Sequence, residues 1–207
     1  MNALKRLYYR NWFRFHPVRR WEYQIAKRLV RGNVLDAGCG NGALTRFFAR
    51  RANSVTAVDL SEQSLAVARE SNPAPNVTYA KADLARLSFP SATFDTVLCV
   101  SVLGQLGNKT QRDAVVRELL RVTKSGGTIF LSALSQYLDD LDVANMPGFS
   151  VEKRYCLKTS PLQAVMGFFL SFRDVRTLLS FPLYPVFWLD ARMQGHGQSG
   201  VWIVRKN

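Results

Sequence analysis

Apolar and polar positions along the middle of this chain switch repeatedly between two periods. Short, nearly continuous apolar runs at Asn33 to Ala37, Ser54 to Asp59, Val77 to Ala80, Thr96 to Val100 and Thr128 to Ala133 read as buried strands. Between them the apolar spacing becomes helical. Ala43 to Arg51 follows the first strand, and Ser61 to Glu70 the second, with Ser61 as N-cap. Lys109 to Val122 precedes the fifth strand and presents Val115, Val116, Leu119 and Leu120 as one face. Strand and helix in alternation, with short connections, predict an α/β domain built on a parallel, helix-covered sheet.

The flanks are less regular. Residues 3 to 31 read as two helices, Leu4 to Phe15 and Val18 to Val30, split at His16-Pro17 because proline disfavours helix in the residue before it. After Leu134 the alternation weakens. Residues 135 to 160 read as a crossing over the site that contains one short helix. Pro161 to Phe169 reads as a helix, Val175 to Phe181 as a strand and Gly200 to Arg205 as a final strand. No internal repeat interrupts this order, and 207 residues suit one domain.

The first strand runs into the densest chemistry of the chain, Asp36-Ala37-Gly38-Cys39-Gly40-Asn41-Gly42. Glycines at this spacing permit positive φ and close approach of a ligand to the backbone, and a helix opening beside them offers N–H donors. Strand, glycine turn and helix together form a cofactor-binding arrangement. Asp59 ends the second strand, where a carboxylate can accept from both hydroxyls of a ribose, or can simply be a solvated strand end. Asp83 follows the third strand, where it can accept from an adenine amino group or cap a turn. The fourth strand feeds Ser101 to Leu106 into the edge where open α/β sheets bind ligands.

Taken together, Val34-Leu35-Asp36-Ala37-Gly38-Cys39-Gly40-Asn41-Gly42, the Asp59 strand, Ala82-Asp83, Phe94-Asp95 and Leu120 to Gly127 resemble, in order, the class I S-adenosylmethionine-dependent methyltransferases. The resemblance spans about residues 32 to 134. It implies a Rossmann-like three-layer sandwich whose mostly parallel seven-stranded sheet ends in an antiparallel strand, here Val201 to Arg205, with the N-terminal helices as an extension. Residues 1–31 would form a cap and 32–207 the methyltransferase domain. It also implies S-adenosylmethionine as cofactor. Asp36, Gly38, Cys39, Gly40 and Gly42 would lie at its methionine part, Asp59 and Leu60 at the ribose, Ala82, Asp83 and Leu84 at the adenine, and Val100 at the pocket edge.

Two departures narrow the chemistry. Many small-molecule members carry a histidine pair or Glu-His after the fourth strand, where this chain has Gly104-Gln105. The Asn/Asp-Pro-Pro-Tyr/Phe signature of amino-directed nucleic-acid enzymes is missing there too. His16, in the N-terminal segment, and Tyr155, where relatives close the acceptor pocket, are the candidates for a catalytic role. Each also has a plain packing role. Metal chemistry is not suggested, since Cys39, Cys99 and Cys156 have no paired spacing.

Charge adds one further element. The chain carries a formal net charge of +13, and residues 1 to 31 hold nine Lys or Arg against the single acid Glu22. Interleaved with Trp, Tyr and Phe, this segment reads as a helix packed on the sheet, as a contact to an anionic membrane surface, or, with less weight, as a nucleic-acid contact. The sequence reading is thus a cytoplasmic enzyme, peripheral to the inner membrane face, that methylates oxygen or carbon of an apolar quinone, lipid or natural-product acceptor. An RNA methyltransferase and a non-catalytic S-adenosylmethionine-binding protein are the alternatives.

Overall fold

The computed structural model describes residues 17–141, 148–158 and 197–207. The expected helices Leu4 to Phe15 and Pro161 to Phe169, the strand Val175 to Phe181, and both histidines lie outside these residues.

The elements run α1 (Pro17–Ala26), β1 (Asn33–Ala37), α2 (Thr45–Phe48), β2 (Ser54–Asp59), α3 (Glu62–Ser71), β3 (Val77–Lys81), β4 (Phe94–Val100), a 3-10 turn (Leu103–Gln105), α4 (Lys109–Val122), β5 (Thr123–Leu134), α5 (Ser135–Asp139), β6 (Phe149–Lys158) and β7 (Gly197–Lys206). The seven strands form one sheet in the order β3-β2-β1-β4-β5-β7-β6. Pairs among the first five are parallel, while β7 runs antiparallel to both β5 and β6. This is the Rossmann-like sheet with an antiparallel last strand.

Successive residues of the central strands feed two cores, because both faces of a parallel sheet are covered. One core gathers Leu35, Val97, Cys99, Ile129 and Leu131 with Val115, Val116, Leu119 and Leu120 of α4. The other gathers Val34, Leu98, Phe130 and Val201 with Ala26, Val30 and Phe48. The end of α1 and the turn after it therefore pack on the sheet. Ser61 caps α3, accepting from the Ser64 N–H at 3.2 Å, and Asn108 does the same for α4.

Several boundaries differ from expectation; β5 already starts at Thr123 and β7 at Gly197. The helix after β1 shrinks to Thr45–Phe48, because the glycine turn uses up its first residues. The helix before β1 stops at Ala26 and continues as hydrogen-bonded turns. The segment expected to cross the site instead supplies α5 and then the edge strand β6. Glu152, Lys153 and Arg154 disguise that strand, and charge of this kind is what an edge needs. Glu152 pairs with Arg205 of β7 at 2.9 Å, and Arg154 stacks its guanidinium over Trp202 at 4.4 Å.

Phe94-Asp95 and Leu120 to Gly127, at the opposite edge of the sheet, have structural contacts. Asp95 accepts from the Asn33 N–H at 2.8 Å and from Lys124 Nζ at 3.0 Å, contacts that hold its carboxyl below the usual range. Arg121 donates to Glu118, to Leu87 O and to Phe89 O, which fixes the loop after β3 against α4.

Candidate functional site

The C-terminal ends of β1, β2 and β3 are neighbours in the sheet, and each delivers one acid. After Asp36 the chain turns through Gly38, Gly40 and Gly42 at φ of +78°, +53° and +71°. The Gly38 and Cys39 N–H groups both donate to Val58 O, at 2.8 and 2.9 Å, folding the turn back over β2. The three glycines then differ in their surroundings. A Cβ at Gly38 would fall 2.2 Å from Val102 Cγ2, and one at Gly42 would fall 2.5 Å from the Tyr79 hydroxyl. At Gly40 a Cβ would meet nothing within 4 Å. The turn is thus packed at both ends and open at its centre, as close approach of a ligand to the backbone requires.

Asp59 is held in place by the same turn. Its Oδ2 accepts from the Gly40 N–H at 2.8 Å and its Oδ1 from the Ser61 N–H at 2.9 Å. Each carboxylate oxygen has a second acceptor direction, so the group is oriented without being used up. Leu60 beside it is 65% exposed, a large apolar side chain facing outward at a sheet edge. Ala82 N–H donates to Asp59 O at 3.1 Å, joining the ends of β2 and β3. Asp83 closes its own turn through the Ala85 N–H at 2.9 Å, while Leu84 is buried. Val100 ends β4 half-buried in the core under the turn.

Asp36 is 4% exposed and accepts from the Thr45 hydroxyl at 2.6 Å. Burial, opposed by that hydrogen bond and reinforced by the Asp59 charge, raises its carboxyl from 3.8 to about 6. A folded-state pKa above the unfolded one means that the folded chain keeps a proton the unfolded chain releases across that interval. Stability contributed by protonated Asp36 is therefore full below pH 3.8 and lost as pH rises through about 6. Urea denaturation at a series of pH values checks this. The stability of the native chain, minus that of Asp36→Asn, is expected to fall by about 2–3 kcal/mol from pH 3.5 to pH 7. A flat difference would show that burial does not disfavour the charge. Burial likewise pushes the Cys39 thiol well up, so it stays protonated beside the turn.

The supports of this turn were not evident from residue types. Asn72 Nδ2 donates to Asn41 O, and the Tyr79 hydroxyl donates to Asn72 O, both at 2.8 Å. Thr45 on Asp36 belongs with them. Their only sequence signals are helix and strand ends lying near the glycine turn in topology. Tyr155 stands elsewhere. It is on β6 opposite Val201, which pairs with Ser132 and hence with Val100. It shares the level of Val100 but lies three strands away, roughly 14 Å at ordinary strand spacing. Among the described residues no group of His, Cys, Asp and Glu could hold a metal ion.

Comparison with known proteins agrees with this geometry. Residues 35–131 match a family described as "Methyltransferase domain". The chain is 33% identical over 141 residues to a ubiquinone/menaquinone biosynthesis C-methyltransferase of Saccharophagus degradans, covering 65% of this chain and 52% of that protein. It is 36% identical over 107 residues to a ubiquinone biosynthesis O-methyltransferase of Pseudomonas paraeruginosa, covering 50% and 44% respectively. The chain thus spans about half the length of these curated relatives. Among solved structures, the N-methyltransferase NodS from Bradyrhizobium japonicum, in complex with S-adenosyl-L-homocysteine, superposes with a TM-score of 0.65. That likeness covers 92% of this chain and 88% of the other at 14% identity, and it concerns the fold.

Proposed function

With residues 35–131 belonging to the methyltransferase-domain family of class I S-adenosylmethionine-dependent enzymes, we infer that this chain transfers a methyl group from S-adenosylmethionine to an oxygen or carbon of an apolar small molecule. Quinone, lipid and natural-product acceptors are the class favoured, and the two curated relatives named above act in quinone biosynthesis.

The supporting observation is the row of Asp36, Asp59 and Asp83 at the ends of adjacent strands around a glycine turn open at Gly40. A cradle a Cβ would fill, beside a carboxylate held by two backbone N–H groups, fits a nucleoside with an amino-acid tail. Asp59 takes the ribose hydroxyls, and Leu60 offers the apolar contact beside them. Ala82, Asp83 and Leu84 border the adenine. Asp36, Gly38, Cys39, Gly40 and Gly42 hold the methionine part, with Val100 beneath. When bound, S-adenosylmethionine supplies a methyl group already activated on a sulfonium. The protein's own task is alignment of the acceptor and exclusion of water. Residues 1–31 act as the cap, and Tyr155 and His16 are acceptor-side candidates. The basic N-terminal segment also suits the anionic face of a membrane, which would make the enzyme cytoplasmic and peripheral. No helix among the described residues is long and apolar enough to cross a membrane.

Methyl-labelled S-adenosylmethionine tests these points together, with quinols and lipids presented in neutral or anionic vesicles and with total RNA as the rival acceptor. Label is expected in the apolar fraction. Label in RNA would overturn the acceptor class, and cofactor binding without any transfer would favour a non-catalytic role. The protein should also pellet with anionic vesicles at low salt and be released as salt rises. Failure to pellet would remove the membrane contact.

A further inference from the structure

Beyond β4 the chain turns sharply and then presents an amide. Ser101 has φ +57°, a left-handed conformation that a serine adopts only where its surroundings impose it, and its N–H donates to Ser132 O at 2.7 Å. The 3-10 turn Leu103–Gln105 follows, with Leu103 buried and both Gly104 and Gln105 exposed. The Gln105 side chain folds back over the end of β4, because its Nε2 donates to Ser101 O at 3.1 Å. A carbonyl oxygen only accepts, so this contact fixes which way round the amide stands. The second Nε2–H and the whole of Oε1 are left without a partner among the described residues.

The neighbours of this turn set its charge. Tyr137 of α5 lies against Gly104, where a Cβ would meet its Cε2 at 3.1 Å, and the Arg112 guanidinium of α4 sits over that ring at 4.9 Å. Arg112 is 7% exposed, its Nε has no hydrogen-bond partner, and the Asp140 carboxylate 3.3 Å from it is largely in solvent. A buried cation offset by an exposed anion leaves positive potential behind the turn. The remaining charged groups are otherwise engaged or stand on other elements. Lys109 and Asp113 pair at 2.6 Å, Asp139 ends α5, and Asp36 is buried on the Thr45 hydroxyl. Glu22 of α1 reaches Ser101 Oγ at 3.4 Å but is 1% exposed, inside the packing of α1 on the sheet. In the turn itself an amide stands where an acid or a histidine could have stood.

The order of strands gives this amide its meaning. From β3 through β2 to β1 the acids are Asp83, Asp59 and Asp36, the proposed neighbours of adenine, ribose and methionine, and β4 is the next strand. Its end lies one strand spacing, about 5 Å, past the methionine end of that row. Val102 closes the gap, since it packs directly on Gly38 of the glycine turn. We propose that Gln105 touches the methyl acceptor and donates its second Nε2–H to an ionised acceptor oxygen, so that the enzyme methylates phenolates or enolates rather than neutral hydroxyls. This rests on the methyltransferase reading above. A carboxamide takes no proton, so the acceptor loses its proton to water before transfer. The oxyanion, or the ring carbon that shares its charge, then forms its bond to the methyl carbon as the carbon–sulfur bond breaks. That electron pair stays on sulfur, leaving S-adenosylhomocysteine and the methylated acceptor.

The test is the pH profile of transfer from S-adenosylmethionine to a series of quinols and substituted phenols of graded acidity. Rates are read above about pH 7, clear of the range near 6 in which the Asp36 carboxyl titrates. In the native chain kcat/KM should rise with pH and level off at each acceptor's own pKa, so that the midpoint moves with the acceptor. Gln105→Ala is expected to keep its melting temperature, its affinity for S-adenosylmethionine and these midpoints, and to lose about 10- to 100-fold in kcat/KM on the plateau. In direct binding the native chain should prefer phenolates over neutral phenols, and the alanine variant should lose most of that preference. Gln105→His should let the less acidic acceptors react below their own pKa, because it supplies a base. One midpoint shared by all acceptors, or an alanine variant within about twofold of native across the series, overturns the proposal alone. Transfer confined to the lipids named above does the same and leaves the functional reading standing. A native chain that binds S-adenosylmethionine but labels neither the series nor the lipids overturns both together.

Discussion

Asp59→Ala is expected to weaken binding of S-adenosylmethionine by 100-fold or more. Each hydrogen bond from a ribose hydroxyl to a carboxylate is worth about 1.5–3 kcal/mol, and two are lost together. A loss of about 3 kcal/mol already exceeds a factor of 100. The structure adds a further cost, since Asp59 also holds the Gly40 and Ser61 N–H groups at 2.8 and 2.9 Å. Without it the open centre of the turn loses its anchor. Asp59→Asn should fall between the two, because an amide keeps one oxygen for two N–H donors and points its own N–H₂ at the other. Isothermal titration of folded variants, checked by circular dichroism, reads the effect. Unchanged affinity in the alanine variant would remove Asp59 from the ribose.

Gly38→Ala and Gly40→Ala should fail in different ways, although the two glycines are two residues apart. At Gly38 an alanine must hold φ +78° and place its methyl 2.2 Å from Val102 Cγ2. The conformation costs about 1–2 kcal/mol and displacement of a packed side chain about 1–3 kcal/mol more. Gly38→Ala is expected to lower stability by about 3 kcal/mol, read by urea denaturation, and to lose cofactor binding through disorder of the turn. Val102→Ala in the same chain should recover the steric part and leave the backbone part. At Gly40 the methyl points into open space at φ +53°, so stability should drop by only about 1 kcal/mol. Affinity should nevertheless fall at least 10-fold, because the methyl occupies the space through which the cofactor reaches the backbone. Equal effects of both substitutions on stability would show that the turn is not packed at one end and open at its centre.

The central sheet was legible in residues because β1, β2, β4 and β5 are buried on both faces and therefore read as unbroken apolar runs. The caps at Ser61 and Asn108 act within a few residues of themselves, so local pattern suffices for them. β6 was not legible. Its Glu152-Lys153-Arg154 faces solvent at a sheet edge, and only pairing with β7 makes it a strand. The same reason hid the partners of the glycine turn, since Tyr79, Asn72 and Thr45 reach it through the sheet order and through the way α2 and α3 lie across it.

The glycine stretch from Asp36 to Gly42, the acids at the ends of three successive strands and the family they point to follow from the residues themselves, because spacing in a strand–turn–helix unit fixes which atoms share one sheet edge. Which glycine stays open, how Asp59 is oriented and where Glu22 ends up do not. Ser101 and Ser132 lie 79 and 110 residues from Glu22, and nothing local relates them. Only the packing of α1 on the finished sheet brings that carboxyl to the ends of β4 and β5, within hydrogen-bond reach of both hydroxyls.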